Sequence, residues 1–167
     1  YVRTRLGLDD ATEIRVPSES DCATQTLLYL PRRMPLPRDE RYAEAVAWEA
    51  GQLLRCSRGR AFVLFTSYAT MRAVVQRLEP ELDYPVLVQG TAPRSTLLAE
   101  FRRTPNAVLF ATSSFWQGVD VQGDQLSAVI IDKLPFASPG DPIVAARIDA
   151  LTGQGMSAFE AYQVPLA

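Results

Sequence analysis

The stretch AVLFATSSFWQGVDVQGDQLSAVIIDKLPF, residues 107–136, decides the fold of this chain. It covers two predicted strands, NAVLFAT (106–112) and LSAVIIDKLPF (126–136), whose apolar runs are AVLF at 107–110 and VII at 129–131. Continuous apolar runs of this length are typical of strands that are buried on both faces of a parallel sheet. The connection between them is dense in aromatic, hydroxyl and glycine residues, which a loop that only reverses the chain does not need.

Similar apolar runs and helical patterns alternate on either side of this stretch. The predicted strands are TEIRV (12–16), TLLYLP (26–31), GRAFVLFTSY (59–68) and PVLVQ (85–89). The predicted helices are RDERYAEAVAWEAGQLLRCS (38–57), ATMRAVVQRLEPEL (69–82), RSTLLAEFRRT (94–104), SPGDPIVAARIDALTGQG (138–155) and MSAFEAYQVPLA (156–167). In the fourth helix we expect Asp141 as N-cap and Pro142 at the first helical position.

Strands that alternate with helices predict an α/β fold with a mostly parallel sheet covered on both faces. In such a sheet, ligands bind beyond the carboxyl ends of the strands. The strand ends that follow Phe65, Phe110 and Ile131 are therefore the places to search for a functional site.

Composition excludes several classes of chemistry. The chain has 167 residues, which fits one domain, and a net charge of −2, so any nucleic-acid binding must use a local patch or another domain. It has no histidine and two cysteines, too few for an Fe–S cluster or a zinc site, and this leaves no Ser-His or Cys-His pair. No Gly-Lys-Ser/Thr phosphate loop occurs. We predict no catalytic residue and no metal ligand in this chain, no membrane span, and a cytoplasmic location.

Hydroxyl side chains end the strand predicted at residues 59–68. Thr66, Ser67 and Tyr68 stand where this strand gives way to a helix, and hydroxyls and free N–H groups at a helix N-terminus can bind an anion. The alternative is that Thr66 or Ser67 only caps the helix.

The loop after Phe110 offers a second set of candidates. Ser114 and Gln117 have the spacing of a capping box, which predicts a short helix that begins at Ser114, with Thr112 and Ser113 beside its N-terminus. Gly118 permits a close backbone approach, and Asp120 could accept a hydrogen bond from a sugar hydroxyl. The aromatic pair 115–116 could contact bases or pack under the loop. Asp132 and Lys133, after the last strand, fit either a site or a structural turn.

Three segments together resemble a known family: AFVLFTSYATM (61–71), VLFATSSFWQGVDVQGDQLSAVIIDKLPFASPGDPI (108–143) and FEAYQVPLA (159–167). They are similar to the second, C-terminal RecA-like motor domain of DinG/XPD-type superfamily 2 helicases, closest to the bacterial DinG branch. The second segment is the most specific. VPSESDCATQTLLYLP (16–31) also resembles the segment that leads into this domain.

The resemblance implies a three-layer RecA-like, P-loop NTPase-type domain at residues 26–167, with residues 1–25 packed on it as a lead-in segment. It implies half of an ATP cleft and part of a single-stranded DNA track. The family's motif IV corresponds to Phe65–Tyr68 and its motif V to Ala111–Asp120. DNA contacts are expected from Thr66, Ser67, Tyr68, Thr112, Ser113 and Trp116, and ATP contacts from Gln117, Gly118 and Asp120.

The resemblance further implies that ATP and Mg²⁺ bind between this domain and an N-terminal RecA-like domain of the same chain. We expect both ends of the sequence to be cut, with motif VI and its arginine finger beyond Ala167, so that this fragment alone is inactive. Two departures stand out: Gln117 replaces the family's usual Glu, and Glu19-Ser20 replaces a usual Pro-Phe. The alternatives are a DinG-like nuclease-associated or regulatory DNA-binding protein, and an α/β module that binds no nucleic acid.

Overall fold

The computed structural model describes residues 7, 12, 14, 16, 21–121 and 123–166. The chain divides into two compact units, Tyr1–Arg32 and Arg33–Ala167. In the first unit, Cys22–Gln25 forms a short helix (α1), and the Asp21 carboxylate accepts a hydrogen bond from the Ala23 N–H at its start. The strand predicted at residues 12–16 lies partly outside the described residues.

The strand predicted at residues 26–31 is wrong. Residues 26–30 belong to no helix or strand, and the side chains of Leu27 and Leu28 are 90% and 79% exposed. An apolar run forms a strand only where a neighbouring strand pairs with its backbone, and the described sheet does not include this segment.

The second unit alternates helices and strands as the sequence predicts. Its α-helices are Tyr42–Ser57 (α2), Tyr68–Leu78 (α3), Arg94–Arg103 (α4), Pro142–Gly153 (α5) and Val164–Leu166 (α6). Its strands are Ala61–Leu64 (β1), Val86–Val88 (β2), Val108–Ala111 (β3) and Ala128–Ile131 (β4). Short 3₁₀ helices lie at Glu79–Glu81, Ser113–Phe115 and Gly123–Gln125, and a π-helix at Phe159–Gln163. The predicted cap of α5 is confirmed, because the Asp141 carboxylate accepts from the N–H groups of Ile143 and Val144 and Pro142 begins the helix.

The four strands form one parallel sheet in the order β2-β3-β1-β4. Ala61 pairs with Val108 on one side and with Ala128 on the other, so the central strands run in register. Every residue of β1 and of β3 is buried, which explains their continuous apolar sequences. The α/β fold class with a parallel sheet is confirmed.

Two apolar clusters lie on opposite faces of the sheet. On one face, α2 and α3 pack on Val63, Phe65 and Phe110. On the other, α4 and the loop after β3 pack on Phe62 and Leu109, with the ring centroids of Phe62 and Phe101 4.7 Å apart. This is a three-layer arrangement of helix, sheet and helix.

The edge strand β4 departs from this pattern. Its side chains alternate between half-buried and exposed, and Val129 and Ile131 are 54% and 44% exposed. The sequence VII therefore predicts a strand correctly, but the described residues cover only one of its faces.

Candidate functional site

A polar residue lies one or two positions beyond the carboxyl end of each of the four strands. In the order of the strands across the sheet these residues are Gln89, Thr112, Thr66 and Asp132. Because the strands are parallel, all four ends lie at the same edge of the sheet. We call this edge, residues Gln89, Thr112–Ser114, Thr66–Tyr68 and Asp132, the carboxyl rim.

At the end of β1, the three predicted residues take different positions. Thr66 is half-buried, and its N–H donates to Asp132 Oδ1 at 3.1 Å. Ser67 is the N-cap of α3, where its hydroxyl accepts from the Thr70 N–H at 3.1 Å, so this hydroxyl does cap the helix. Tyr68 begins α3 and is 46% exposed.

At the end of β3, the hydroxyls of Thr112 and Ser113 face different environments. Thr112 is only 4% exposed, whereas Ser113 is exposed. The predicted capping box is wrong: the helix here is a three-residue 3₁₀ helix, Ser113–Phe115, that begins one residue earlier and has no side-chain cap. The Ser114 hydroxyl accepts instead from the side-chain amide of Gln89, at 2.9 Å.

Gln89 is not among the site residues predicted from the sequence; it follows the edge strand β2, and its side chain contacts residues that follow β1 and β3. Its Oε1 accepts from the N–H of Thr112 at 2.6 Å and from the Thr112 hydroxyl at 3.0 Å. Its Nε2 donates to the hydroxyls of Tyr68 at 2.6 Å and Ser114 at 2.9 Å. The signal that could have found it is its place as the last residue of the strand predicted at residues 85–89.

The aromatic pair of the loop is directed into the protein. Phe115 is buried in the second apolar cluster, and Trp116 is half-buried against the same cluster. The indole Nε1 of Trp116 is enclosed and has no hydrogen-bond partner. These positions favour packing under the loop, which was the alternative to a contact with bases.

An arginine of α4 holds the loop just after this pair. Arg94 Nη2 donates to the backbone carbonyls of Gln117 at 2.8 Å and Gly118 at 3.0 Å, and its guanidinium lies 5.5 Å from the centroid of the Phe115 ring. Gly118 has φ of +65°, a left-handed conformation that favours glycine. Arg102, at the other end of α4, donates to the backbone carbonyl of Asp120 at 2.6 Å.

The β4 end of the rim carries a shielded carboxylate. Burial raises the pKa of Asp132 above its ordinary value of 3.8, against the opposing effects of Lys133 and of the Thr66 N–H. The Tyr42 hydroxyl donates to the Asp132 backbone carbonyl at 2.8 Å, and burial together with the Asp132 charge raises the pKa of Tyr42 to about 12. Asp132 Oδ2 and Thr66 Oγ1 are both enclosed without a hydrogen-bond partner. This end of the rim therefore retains unused hydrogen-bonding capacity.

The described parts of the chain contain neither a candidate membrane span nor a candidate metal site. No helix there is both long and apolar enough to cross a membrane. Nor do three or more Cys, Asp or Glu side chains come together there in a way that could hold a metal ion.

The rim and its loop thus define a class of protein. The domain is an α/β domain with a parallel sheet, and hydroxyl, amide and backbone polar groups lie together at one edge of that sheet. This is the edge at which parallel sheets of this kind bind ligands. Residues 50–167 match the helicase C-terminal domain family, and the chain belongs to that family. The resemblance to the second motor domain of DinG-type helicases is thereby confirmed.

Curated relatives agree with this assignment. The chain is 41% identical over 165 residues to the protein named ATP-dependent DNA helicase YoaA of Escherichia coli, covering 99% of this chain and 26% of the relative. It is 38% identical over 160 residues to ATP-dependent helicase DinG of Mycobacterium tuberculosis, covering 93% and 24%. It is 30% identical over 184 residues to 3'-5' exonuclease DinG of Bacillus subtilis, covering 100% and 19%. The chain spans about a quarter or less of the length of these relatives.

Proposed function

We propose that this chain is the second motor domain of an ATP-dependent DNA helicase. The observation that carries the proposal is the carboxyl rim, where the segments equivalent to motifs IV and V follow adjacent strands β1 and β3 and lie side by side. The names of two relatives, ATP-dependent helicases from Escherichia coli and Mycobacterium tuberculosis, support the activity of the whole protein.

On the DNA side, we assign different roles to buried and exposed residues. Ser67, Tyr68 and Ser113 are accessible on the rim and would contact the phosphates of single-stranded DNA, directly or through the backbone N–H groups beside them. Thr66 and Thr112 lie beneath them and would support those contacts through hydrogen bonds within the rim. Trp116, directed into the apolar cluster, would act on the DNA site by supporting the loop.

On the nucleotide side, we assign Gln117, Gly118 and Asp120. They follow the DNA-side residues within a few positions of the same loop, so movement of the loop would connect the two sites. ATP and Mg²⁺ would bind between this loop and an N-terminal RecA-like domain of the same protein, which would supply the phosphate loop and the Mg²⁺ ligands. The protein would work in the cytoplasm on single-stranded DNA.

Ser113 offers the sharpest test of the DNA side, because its side chain is exposed and Ser113→Ala removes only one hydroxyl. In the full-length protein, we expect Ser113→Ala to weaken the binding of single-stranded oligonucleotides about 2- to 10-fold, the value of one neutral hydrogen bond. The loss should be the same for different base sequences, since a phosphate contact carries no sequence information.

The matched control is Ser95→Ala, an exposed serine within α4. Fluorescence anisotropy with labelled oligonucleotides measures both variants. Equal affinities for Ser113→Ala, Ser95→Ala and the unmodified protein would contradict the assignment of the rim to DNA.

A second candidate function rests on the Bacillus subtilis relative, which is named a 3'-5' exonuclease. In that case, this domain would bind DNA for a nuclease domain elsewhere in the protein and would not drive unwinding. A forked duplex labelled on one strand separates the two functions: a helicase releases the intact strand only with ATP, whereas an exonuclease shortens it without ATP.

A further inference from the structure

The side chain of Gln89 spans the two segments of the rim that come from different strands. The residue follows β2, and its own N–H still donates to the Phe110 carbonyl at 2.9 Å, which fixes its backbone to the sheet. From that fixed position its amide contacts Tyr68 after β1 and both Thr112 and Ser114 after β3.

The hydrogen bonds of the Gln89 side-chain amide fix its orientation. Its oxygen accepts two hydrogen bonds, both from Thr112, and its nitrogen donates one hydrogen to Tyr68 and the other to Ser114. The orientation cannot be reversed, because the Thr112 N–H is a donor and a flipped amide would place an NH₂ group against it. Asparagine is one methylene shorter and could not reach across the same gap.

We propose that Gln89 is a positioning residue that sets the distance between the Tyr68 segment and the Thr112–Ser114 segment. The inference rests on the proposed function, in which these two segments contact one strand of DNA. Successive phosphates of a strand have a fixed spacing, so two contact segments must be held at a matching separation. A bridge between the segments supplies that separation before DNA arrives.

A purely structural role would have a different consequence. Thr112 is buried, so its N–H and hydroxyl need an acceptor, and Gln89 Oε1 provides it. If that were the whole role, the hydroxyl of Tyr68 would have no effect on the segment after β3. The two roles therefore differ in whether a change at Tyr68 is felt at residues 112–116.

The first experiment is hydrogen exchange on the full-length protein without DNA. Tyr68→Phe removes one acceptor of the Gln89 amide and leaves both bonds to Thr112 in place. We expect exchange in the peptide that covers residues 112–116 to become about fivefold faster, the effect of one lost hydrogen bond on local opening. Tyr84→Phe, a half-buried tyrosine packed against the first apolar cluster, is the matched control and should leave this peptide unchanged.

The second experiment is a double-mutant cycle on affinity for a labelled oligo-dT, with Tyr68→Phe, Gln89→Leu and the double variant. The direct contact of Tyr68 with DNA is lost in both backgrounds, so if Gln89 transmits an effect of Tyr68, the loss caused by Tyr68→Phe should be smaller in the Gln89→Leu background by the part that passes through Gln89. The hydrogen-exchange experiment needs no substitution of Gln89, so it tests the positioning role even if Gln89→Leu does not fold.

Unchanged exchange at residues 112–116 in Tyr68→Phe, or fully additive losses of affinity, would overturn the positioning role. A different result is also possible: Tyr68→Phe speeds exchange at residues 112–116, but the unmodified protein does not bind oligo-dT. In that case Gln89 remains the bridge of the rim, and the proposed DNA function is refuted instead. The two failures are therefore distinguishable.

Discussion

Removal of the Arg94 side chain tests whether α4 holds the loop that carries the proposed nucleotide contacts. Arg94 lies in the first turn of α4 and reaches across to the loop after β3. Arg94→Ala removes two hydrogen bonds, to the carbonyls of Gln117 and Gly118, and the contact of the guanidinium with the ring of Phe115.

The size of the loss follows from the exposure of these groups. Arg94, Gln117 and Gly118 are all exposed, so water competes for the two hydrogen bonds and each contributes about 0.5–1 kcal/mol. A cation–π contact at an exposed site adds about 0.5–1 kcal/mol. We therefore expect Arg94→Ala to lower the free energy of unfolding by about 1.5–3 kcal/mol and the Tm by about 3–12 °C for a chain of this size.

Thermal denaturation followed by circular dichroism measures the change, with Arg72→Ala as control. Arg72 is an exposed arginine on α3, so its removal deletes the same charge from a different helix. Arg94→Lys should recover only part of the loss, because an ammonium group does not reproduce the planar fork of the guanidinium. A Tm for Arg94→Ala within about 1 °C of that for Arg72→Ala would show that Arg94 does not hold the loop and that its other contacts suffice.

Three further predictions concern the fold and the isolated chain. Gly59→Ala should destabilise the domain by more than about 2 kcal/mol in denaturant titration, because Gly59 has φ of +70° and an added Cβ would overlap the Asn106 carbonyl. The control is Gly153→Ala: no atom lies near the position of the added Cβ, so this change should be neutral or stabilise by up to about 1 kcal/mol. Since the pKa of Asp132 is raised, the stability of the unmodified chain relative to Asp132→Asn should fall as the pH rises from 3.8 through the folded-state pKa, and a difference independent of pH would contradict this. The isolated chain, which has no Gly-Lys-Ser/Thr loop, should hydrolyse ATP at the background rate, and DNA-stimulated turnover by pure chain would refute that expectation.

The sheet could be predicted from sequence because burial on both faces leaves a simple signal. Residues of β1 and β3 are apolar at every position, and they are buried at every position. The same signal was wrong at residues 26–30, where an apolar run has no pairing strand among the described residues. An apolar run therefore indicates that a segment can form a strand. Whether it does depends on a neighbouring strand that pairs with its backbone, and the run itself does not encode that strand.

The candidate site was predictable in position and less so in detail. The rule that ligands bind at the carboxyl ends of parallel strands placed Ser67 and Thr112 at one edge correctly. It could not show that Thr112 is buried, or that Gln89 and Arg94 determine the geometry of the loop, because these contacts join residues more than 20 positions apart. Such contacts depend on how β2 and α4 pack beside the loop, which no local spacing encodes.

The loop after β3 is held mainly through its backbone, and this bears on the departure from the family at Gln117. Gln89 accepts from a backbone N–H at the start of the loop, and Arg94 and Arg102 donate to backbone carbonyls further along it. Because Arg94 contacts the carbonyl of residue 117, the position of the loop does not depend on which side chain residue 117 carries. At the proposed nucleotide contact, Gln117 in place of the Glu expected from the family resemblance would therefore change the charge of the side chain while the backbone that carries it stays in place. The same reasoning applies to Ser113, whose exposed hydroxyl can be removed without loss of the bonds that hold the loop.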